Sequence, residues 1–306
     1  MIGDLALLAG TGLAALPMGR EMLRKPMGRQ ARKNAPGQFA DLTDGRTHFD
    51  WIGPKDGPVA VCVHGLTTPS FVWGGLAPHL ARMGYRVLVY DLFGRGYSDR
   101  PRRVQTPEFF ADQLSDLLRH QNVGSDITVL GYSMGAVIAT AFAAEDSHRP
   151  RRLVLIAPAG MGQDLGTVAR FATDWPLLGD WLFHMGWPRS FRSALEAERS
   201  LPSSVPGIVD LQIAELQRQG YVRSVLSSLR HSLRQPQQAA HHRIARDEVP
   251  VAAIWGRDDT TIPISAMGTL AQWNRSVQHE VIDGAGHGLV YTHTDDVAAA
   301  LERVLA

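Results

Sequence analysis

Runs of apolar, mostly β-branched residues alternate with amphipathic stretches along much of the chain. Residues 59–63 and 85–90 form such runs, as do residues 127–130. Strands that are buried on both faces of a mainly parallel sheet have this pattern. The stretch between the second and third runs predicts a helix that starts at Thr106, with Pro107 in its first turn. This alternation predicts the α/β class, with a mostly parallel sheet flanked by helices and right-handed crossovers.

The same pattern places further elements on either side. The first two strands are joined by the turn Thr43-Asp44-Gly45, which predicts an antiparallel hairpin at the edge of the sheet. We predict strands at residues 38–42, 46–52, 59–63, 85–90, 127–130, 153–157, 249–255 and 278–282. We predict helices at residues 73–83, 106–121, 136–144 and 295–305.

The alternation breaks between residues 161 and 245. This stretch, called the insertion below, is helical in character, rich in aromatic residues and interrupted by five prolines. We expect it to form a helical cap over the carboxyl ends of the strands, inserted before the strand at 249–255. The predicted domains are therefore an N-terminal segment (1–36), a core (37–160 and 246–306) and the cap (161–245).

The N-terminal segment is apolar at first and basic afterwards. Residues 5–18 are largely apolar, and six cations follow: Arg20, Arg24, Lys25, Arg29, Arg32 and Lys33. The run is too short for a comfortable transmembrane helix, and Asp4 stands where a secretory signal would carry basic residues. We expect an interfacial segment that gives peripheral membrane contact through residues 1–36, or else a helix packed on the body of the protein.

Composition narrows the class without naming the function. The 306 residues are 44% hydrophobic and 20% charged, as in soluble globular proteins. The formal net charge of +1 gives no general attraction to nucleic acid, so no nucleic-acid partner is expected. The single cysteine, Cys62, excludes an internal disulfide and fits a reducing compartment. We therefore expect a cytoplasmic protein, with peripheral membrane contact if residues 1–36 form the interfacial segment; the sequence leaves its oligomeric state open.

The chemistry centres on Gly131-Tyr132-Ser133-Met134-Gly135. This Gly-x-Ser-x-Gly motif stands between a predicted strand and a run of good helix formers. In that setting it predicts a nucleophile elbow, a tight turn that exposes the Ser133 hydroxyl above the sheet at the positive end of the helix. Ser133 is the predicted catalytic nucleophile.

A serine hydroxyl needs a base, and the base needs an acid that orients it. Asp259 and His287 follow the last two predicted strands, in the chain order Ser, Asp, His that such sheets use. The predicted catalytic triad is therefore Ser133, Asp259 and His287. Two other acids compete for the place of Asp259: its neighbour Asp258 and, less favourably, Asp164.

The oxyanion formed on attack needs backbone N–H donors. We assign these to Met134, directly after the nucleophile, and to Leu66, in the loop after the strand at 59–63. His64 begins that loop, and we interpret it as a turn residue and not as a base. His241 and His242 are adjacent but lack a carboxylate cluster, so we predict no metal site. The triad requires no cofactor, and none is expected.

Taken together, these motifs resemble the α/β-hydrolase superfamily. The resemblance covers residues 38–306 and includes His64-Gly65, the loop from Asp91 to Asp99, the elbow, Gly256-Arg257-Asp258-Asp259 and Gly286-His287. Within the superfamily, the chain is similar to monoacylglycerol-lipase-like and carboxylesterase members, and to carbon–carbon bond hydrolases of aromatic-ring degradation. It departs from haloalkane dehalogenases and epoxide hydrolases, which have an aspartate where this chain has Ser133.

The resemblance implies a serine hydrolase but does not name its substrate. Aromatic residues and methionines of the insertion, such as Met161 and Met185, could line an apolar cleft, which favours a small-molecule ester with a hydrophobic acyl group. A carbon–carbon hydrolase would need cations for a substrate carboxylate, and four arginines are available: Arg170, Arg192, Arg223 and Arg230. Cofactor-free perhydrolysis and a non-catalytic receptor for a small ligand are the remaining alternatives.

Overall fold

The computed structural model describes residues 14–146, 149–162 and 166–306. Its strands are β1 Gln38–Leu42, β2 Gly45–Ile52, β3 Val59–Val63, β4 Arg86–Tyr90, β5 Ile127–Tyr132, β6 Pro150–Ile156, β7 Val251–Gly256 and β8 Gln278–Ile282. Residues 14–22 are helical and are called α1. The other helices are α2 Arg29–Arg32, α3 Leu76–Arg82, α4 Pro107–His120, α5 Met134–Glu145, α6 Thr167–Asp174, α7 Leu178–Ala197, α8 Ile208–Glu215, α9 Tyr221–His231, α10 Gln238–Arg246, α11 Ala266–Trp273, α12 Leu289–Thr292 and α13 Thr294–Leu305.

The strands form one eight-stranded sheet in the order β1-β2-β4-β3-β5-β6-β7-β8. β1 and β2 form the predicted hairpin, and β2 pairs with β4 antiparallel. The other neighbouring strands pair in parallel, from β4 through β8. The predicted fold class is confirmed, and each predicted strand lies where the sequence pattern places it, with ends shifted by up to three residues.

One predicted helix differs from the structure. Residues 73–83 do not form a single helix: a 3-10 helix, Ser70–Gly74, is followed by the separate helix α3. Consecutive glycines weaken a continuous helix, and Gly74 and Gly75 stand where the two helices meet. Gly75 is also pressed against another loop, since a β-carbon there would lie 2.0 Å from Ser204 Oγ.

Apolar side chains cover both faces of the sheet. On one face α4 and α5 bury residues such as Phe110 and Phe142. On the other face α3 and α13 bury residues such as Leu76 and Leu301. Because helices occupy both faces, the loops at the carboxyl ends of the parallel strands are the free edge on which polar side chains can meet.

The helices of the insertion divide between two positions. Tyr221 Oη donates a hydrogen bond to the Thr67 carbonyl (2.8 Å), and Gln212 Nε2 donates one to Thr68 Oγ1 (2.9 Å). Helices α8 and α9 therefore lie over the loop that follows β3. Helix α10 lies elsewhere, because Arg243 donates a hydrogen bond to the Ala144 carbonyl of core helix α5 (3.1 Å). By its contacts α10 packs with the core, although it falls within the predicted cap; the domain boundaries stay a prediction.

The N-terminal segment crosses from the core to the insertion. Arg32 donates to the Tyr97 carbonyl (2.8 Å) and pairs with Asp99 (2.5 Å). Further towards the N-terminus, Lys25 N donates to the Gln217 carbonyl (2.8 Å). Most of the apolar run at 5–18 lies outside the described residues. Within the part of the chain that the structure describes, no helix is long and apolar enough to cross a membrane.

Candidate active site

Ser133 sits at a strained turn between β5 and α5. Its backbone angles are φ 55° and ψ −118°, a conformation that side-chain-bearing residues rarely adopt. The flanking glycines allow the strand and the helix to pass closely. A β-carbon on Gly131 would lie 2.5 Å from the Gly135 carbonyl oxygen, and one on Gly135 would lie 2.1 Å from the Val63 carbonyl oxygen. The motif therefore forms a strand–turn–helix elbow with the serine at its apex.

The structure brings the three predicted triad residues together. His287 Nε2 lies 3.0 Å from Ser133 Oγ, and His287 Nδ1 lies 2.8 Å from Asp259 Oδ2. The other carboxylate oxygen, Asp259 Oδ1, accepts hydrogen bonds from the backbone N–H groups of Thr261 and Ile262, each at 2.8 Å. The carboxylate is thus held on both oxygens, and its geometry fixes the orientation of the imidazole.

The competing acids do not take this position. Asp258 is exposed, and its backbone N–H donates to the Ala285 carbonyl (2.9 Å). Because adjacent residues of a loop point in different directions, Asp259 bonds to His287, while Asp258 lies at the exposed rim of the cavity beside the triad. The third alternative, Asp164, lies outside the described residues.

The loop after β3 approaches the nucleophile. A β-carbon on Gly65 would lie 3.3 Å from Ser133 Cβ. The next residue, Leu66, has a backbone N–H without a hydrogen-bond partner among the described residues. Met134 is the first residue of α5, so its N–H has no intrahelical acceptor. Both predicted oxyanion donors are therefore backbone groups that remain available to a ligand.

A cavity of about 900 Å³ opens onto Ser133 and His287. The insertion contributes apolar side chains to it, and the loops around β7 and β8 contribute small and polar residues. Its apolar lining includes Leu66, Phe191, Leu195, Leu229, Leu233 and Ile262. Among the described residues that line it there is no lysine or arginine, and two carboxylates are present, that of Glu198 from the insertion and that of Asp258 from the loop after β7.

The arginines that could have bound a substrate carboxylate lie outside this lining. Arg223 donates to the Arg100 carbonyl (3.1 Å) and Arg230 pairs with Asp180 (2.6 Å). Three aromatic residues of the insertion pack on one another: Phe183, Trp187 and Phe191 stack in a row. Of these three, only Phe191 lines the cavity.

Comparison with known proteins fits this geometry. Residues 58–294 match the family described as alpha/beta hydrolase fold. The chain belongs to the alpha/beta hydrolase fold family. It is 29% identical to 2-hydroxymuconate semialdehyde hydrolase of Pseudomonas putida over 234 residues, which cover 72% of this chain and 77% of that relative. It is 25% identical to an uncharacterized protein of Mycobacterium tuberculosis over 278 residues (87% of this chain, 79% of that relative).

Solved structures show the same fold. The enol-lactonase from Burkholderia xenovorans LB400 superposes with a TM-score of 0.72 at 20% sequence identity, covering 88% of this chain and 99% of that one. At this identity the similarity concerns the fold alone.

His64 and His241, whose residue type suits a catalytic base or a metal ligand, have structural contacts in this alpha/beta hydrolase. His64 Nδ1 lies 2.8 Å from its neighbour's carbonyl oxygen, and Nε2 accepts from Leu92 N (2.9 Å). Burial lowers the pKa of His64 to about 4, so the ring is neutral at pH 7 and both nitrogens are used. His241 is buried against Trp273, and no group of metal-ligating side chains occurs in the described part of the chain.

Sequence reasoning missed Arg95, which supports the loop that carries Leu66. The guanidinium is fully buried and donates to the Leu66 carbonyl (3.0 Å) and to Ser228 Oγ of α9 (2.8 Å). It therefore ties the loop beside the nucleophile to the insertion. Arginine is usually exposed, so its burial cannot be deduced from composition. The sequence does show glycines on both sides of Arg95, which indicate a tight loop. In the structure both Gly94 and Gly96 have positive φ.

A second histidine–aspartate pair was also missed. His48 Nδ1 lies 2.8 Å from Asp91 Oδ2, and His48 Nε2 lies 2.5 Å from the Pro36 carbonyl oxygen. Burial opposes the charged ring, but Asp91 outweighs it and raises the pKa of His48. For Asp91, burial by itself would raise the pKa, because it disfavours the charged carboxylate. The hydrogen bond and the charge of His48 outweigh burial and lower the pKa of Asp91 to about 2. Both ring nitrogens face oxygen acceptors, an arrangement that favours the protonated form of His48.

Proposed function

We propose that this protein is a serine hydrolase that cleaves a carboxylic ester with a hydrophobic acyl group. The observation that carries the proposal is the continuous contact from Asp259 through His287 to Ser133, at 2.8 and 3.0 Å, at the mouth of a partly apolar cavity. A base within hydrogen-bond reach of a nucleophile, oriented by a third group, is the arrangement that acyl transfer requires.

Each residue then has a defined step. His287 Nε2 accepts the proton as Ser133 Oγ attacks the ester carbonyl, and Asp259 stabilises the imidazolium that forms. The N–H groups of Leu66 and Met134 donate to the oxyanion of the tetrahedral intermediate. His287 then gives its proton to the departing alcohol, which leaves an acyl group on Ser133. Water deprotonated by the same histidine attacks this acyl-enzyme, and the carboxylic acid is released.

The charge pattern of the cavity favours an uncharged substrate. Apolar side chains such as Leu195 and Leu229 offer a surface for an alkyl or aryl acyl group. A substrate carboxylate would be buried without a cationic partner and close to Glu198, which costs free energy. One structural neighbour is named for the hydrolysis of an enol-lactone, which is itself a cyclic ester.

Carbon–carbon bond hydrolysis at the same triad is the second candidate. It is favoured by the similarity to a relative named for 2-hydroxymuconate semialdehyde, a substrate that carries a carboxylate. The lining of the cavity, without lysine or arginine among its described residues, argues against that substrate class. Perhydrolysis would use hydrogen peroxide in place of water at the same serine. A receptor on this fold would bind the ligand without turnover.

A series of p-nitrophenyl esters from acetate to dodecanoate tests the proposal. We expect kcat/KM to rise with chain length over at least the first few steps, because each buried methylene contributes about 0.8 kcal/mol. The Ser133→Ala variant should lose both turnover and labelling by a fluorophosphonate probe. Absence of turnover and of labelling in the wild type would favour a receptor. Faster turnover of 2-hydroxymuconate semialdehyde than of any ester would favour carbon–carbon hydrolysis, and peracid formation from acetate and peroxide would favour perhydrolysis.

A further inference from the structure

Two neighbouring parts of the chain expose large apolar side chains away from the catalytic cavity. One part is α1 and the residue after it, and the other is the turn between α6 and α7 with the first turns of α7. We call these side chains the apolar face; its members are Leu16, Met18, Met22, Leu23, Trp175, Leu177, Leu178 and Leu182. A soluble monomer seldom leaves so many large apolar residues together at its surface without a use for them.

A direct contact makes the two parts neighbours. Arg20 of α1 donates to the Met185 carbonyl on α7 (3.3 Å) and lies 3.8 Å from Met185 Sδ. Leu182 and Leu178 precede Met185 by three and seven residues, so they continue the same side of α7 towards its start. α1 is also anchored to the insertion, since the Glu21 carboxylate accepts a hydrogen bond from Gly220 N. The two parts of the apolar face are therefore held beside each other by contacts between α1 and the insertion.

The most exposed leucine in the turn is held in a strained conformation. Leu177 has φ 67° and ψ −64°, and Leu178 N donates to the Pro176 carbonyl (2.8 Å), which together define a γ-turn. This conformation is rare for a residue with a branched side chain, yet the Leu177 side chain is 83% exposed and packs against little. Strain that gains no burial within the chain points to a use of the exposed side chain outside it.

A basic cavity adjoins the apolar face. It has a volume of about 480 Å³ and lies between the segment that follows α1 and the insertion; its cationic or basic lining residues are Arg100, Arg102, Arg223 and His184. Its one acid among the described lining residues, Glu21, already accepts hydrogen bonds from Arg24 and Gly220 N. Arg102 is exposed and supplies a charge that is unpaired within the described part of the chain. Arg100 is paired with Glu215 (3.6 Å), but its buried Nε has no hydrogen-bond partner among the described residues. The cavity therefore has donors and positive charge for an anion such as a phosphate.

We propose that the apolar face docks on the surface of a lipid bilayer with anionic headgroups. Leu177 and its neighbours enter the boundary between headgroups and acyl chains, and the basic cavity holds the phosphate of an anionic headgroup, which has no ammonium group beside it to neutralise its charge. An apolar edge beside a cationic cavity matches this partner better than a protein surface, because a bilayer presents both an apolar interior and an anionic rim. The sequence before α1 continues the apolar character through residues 5–13. This surface is separate from the triad and does not depend on the reaction proposed for it.

Co-sedimentation of the full chain with vesicles tests the proposal. We compare vesicles of phosphatidylcholine alone with vesicles that contain phosphatidylglycerol, for the wild type and two variants. The double variant Leu177→Asp/Leu182→Asp should lower the partition coefficient at least about tenfold on anionic vesicles, because two leucine side chains no longer enter the bilayer. Arg102→Gln should lower it about fivefold on anionic vesicles and leave it unchanged on neutral ones. The matched control is Leu211→Asp, an exposed leucine outside the apolar face, which should bind like the wild type.

Far-ultraviolet circular dichroism and the thermal unfolding midpoint of each variant serve as the check on folding, so the control does not depend on the reaction proposed for the triad. Wild-type-like binding by the double variant would overturn the proposal, as would equal losses in the control. Equal binding of the wild type to neutral and anionic vesicles would overturn the role assigned to the basic cavity, because an anionic headgroup would then give no advantage. If the wild type without vesicles is a dimer in analytical ultracentrifugation and the double variant is a monomer, the apolar face covers a second copy of the chain and not a membrane.

Discussion

Two histidine–aspartate pairs in this protein have the same internal geometry and different surroundings. In both, histidine Nδ1 lies 2.8 Å from a carboxylate oxygen: His287 with Asp259, and His48 with Asp91. They differ in what the other ring nitrogen meets. His287 Nε2 faces the hydroxyl of Ser133 at 3.0 Å, whereas His48 Nε2 faces the carbonyl oxygen of Pro36 at 2.5 Å.

This difference decides the chemistry open to each ring. A hydroxyl can give up its proton, so Nε2 of His287 can accept one and act as a base. A carbonyl oxygen can only accept, so Nε2 of His48 has to donate, and these two acceptors favour the charged form of the ring. The two histidines also differ in exposure. The side chain of His287 is 25% exposed and lines the cavity, whereas that of His48 is 6% exposed. The role of a histidine–carboxylate pair therefore depends on the group that the other ring nitrogen faces.

The largest expected effect comes from breaking the first pair. Asp259→Asn should lower kcat for an ester about 10⁴-fold, because an amide that donates to Nδ1 favours the wrong tautomer of His287. Steady-state turnover of a p-nitrophenyl ester measures it. The matched control is Asp258→Asn, one residue away and exposed, which should keep most of the activity. The assignment of the acid fails if Asp258→Asn is the variant that loses activity.

Breaking the second pair should affect stability and leave the chemistry alone. Asp91→Asn leaves the charged ring of His48 buried without its counter-ion, so we expect a loss of about 3–5 kcal/mol in the free energy of unfolding. Asp91 Oδ1 also accepts from Ser70 N (2.9 Å), which adds to the loss. Urea unfolding monitored by circular dichroism gives this value. The kcat of the folded fraction should stay within a few-fold of the wild type, and a drop comparable to that of Asp259→Asn would make this pair catalytic.

The sequence was sufficient to predict the fold and the meeting of Ser133, Asp259 and His287, because both depend on local signals. Buried parallel strands leave apolar runs, and Gly131, Ser133 and Gly135 mark a turn with narrow steric requirements. Asp259 and His287 could be predicted because they follow strand ends, where a parallel sheet gathers its polar residues.

The residues that sequence reasoning missed depend on contacts between distant segments. Arg95 bonds to α9, more than 120 residues later, and His48 bonds to Asp91 and Pro36 across two loops. The periodicity of the sequence does not indicate such contacts, because residue type alone does not distinguish a buried arginine or histidine from an exposed one. The aromatic residues of the insertion show the same limit: their spacing leaves open whether they line a cleft or pack on one another, and it does not indicate that Trp187 stacks between Phe183 and Phe191.

The smallest expected effect is the pH dependence of the stability that the His48–Asp91 pair contributes. The folded state raises the pKa of His48 above its ordinary value of 6.5, so the stability that it contributes is present below pH 6.5 and is lost as the pH rises through the folded pKa. Neutral His48 would turn a lone pair of Nε2 towards the Pro36 carbonyl oxygen and loosen the segment before β1. We therefore expect the wild type to exceed His48→Gln in unfolding free energy at pH 6 and the gap to narrow by pH 9. Proteolysis near Pro36 should become faster over the same range in the wild type alone, whereas a gap that widens with pH would mean that His48 is neutral in the folded protein.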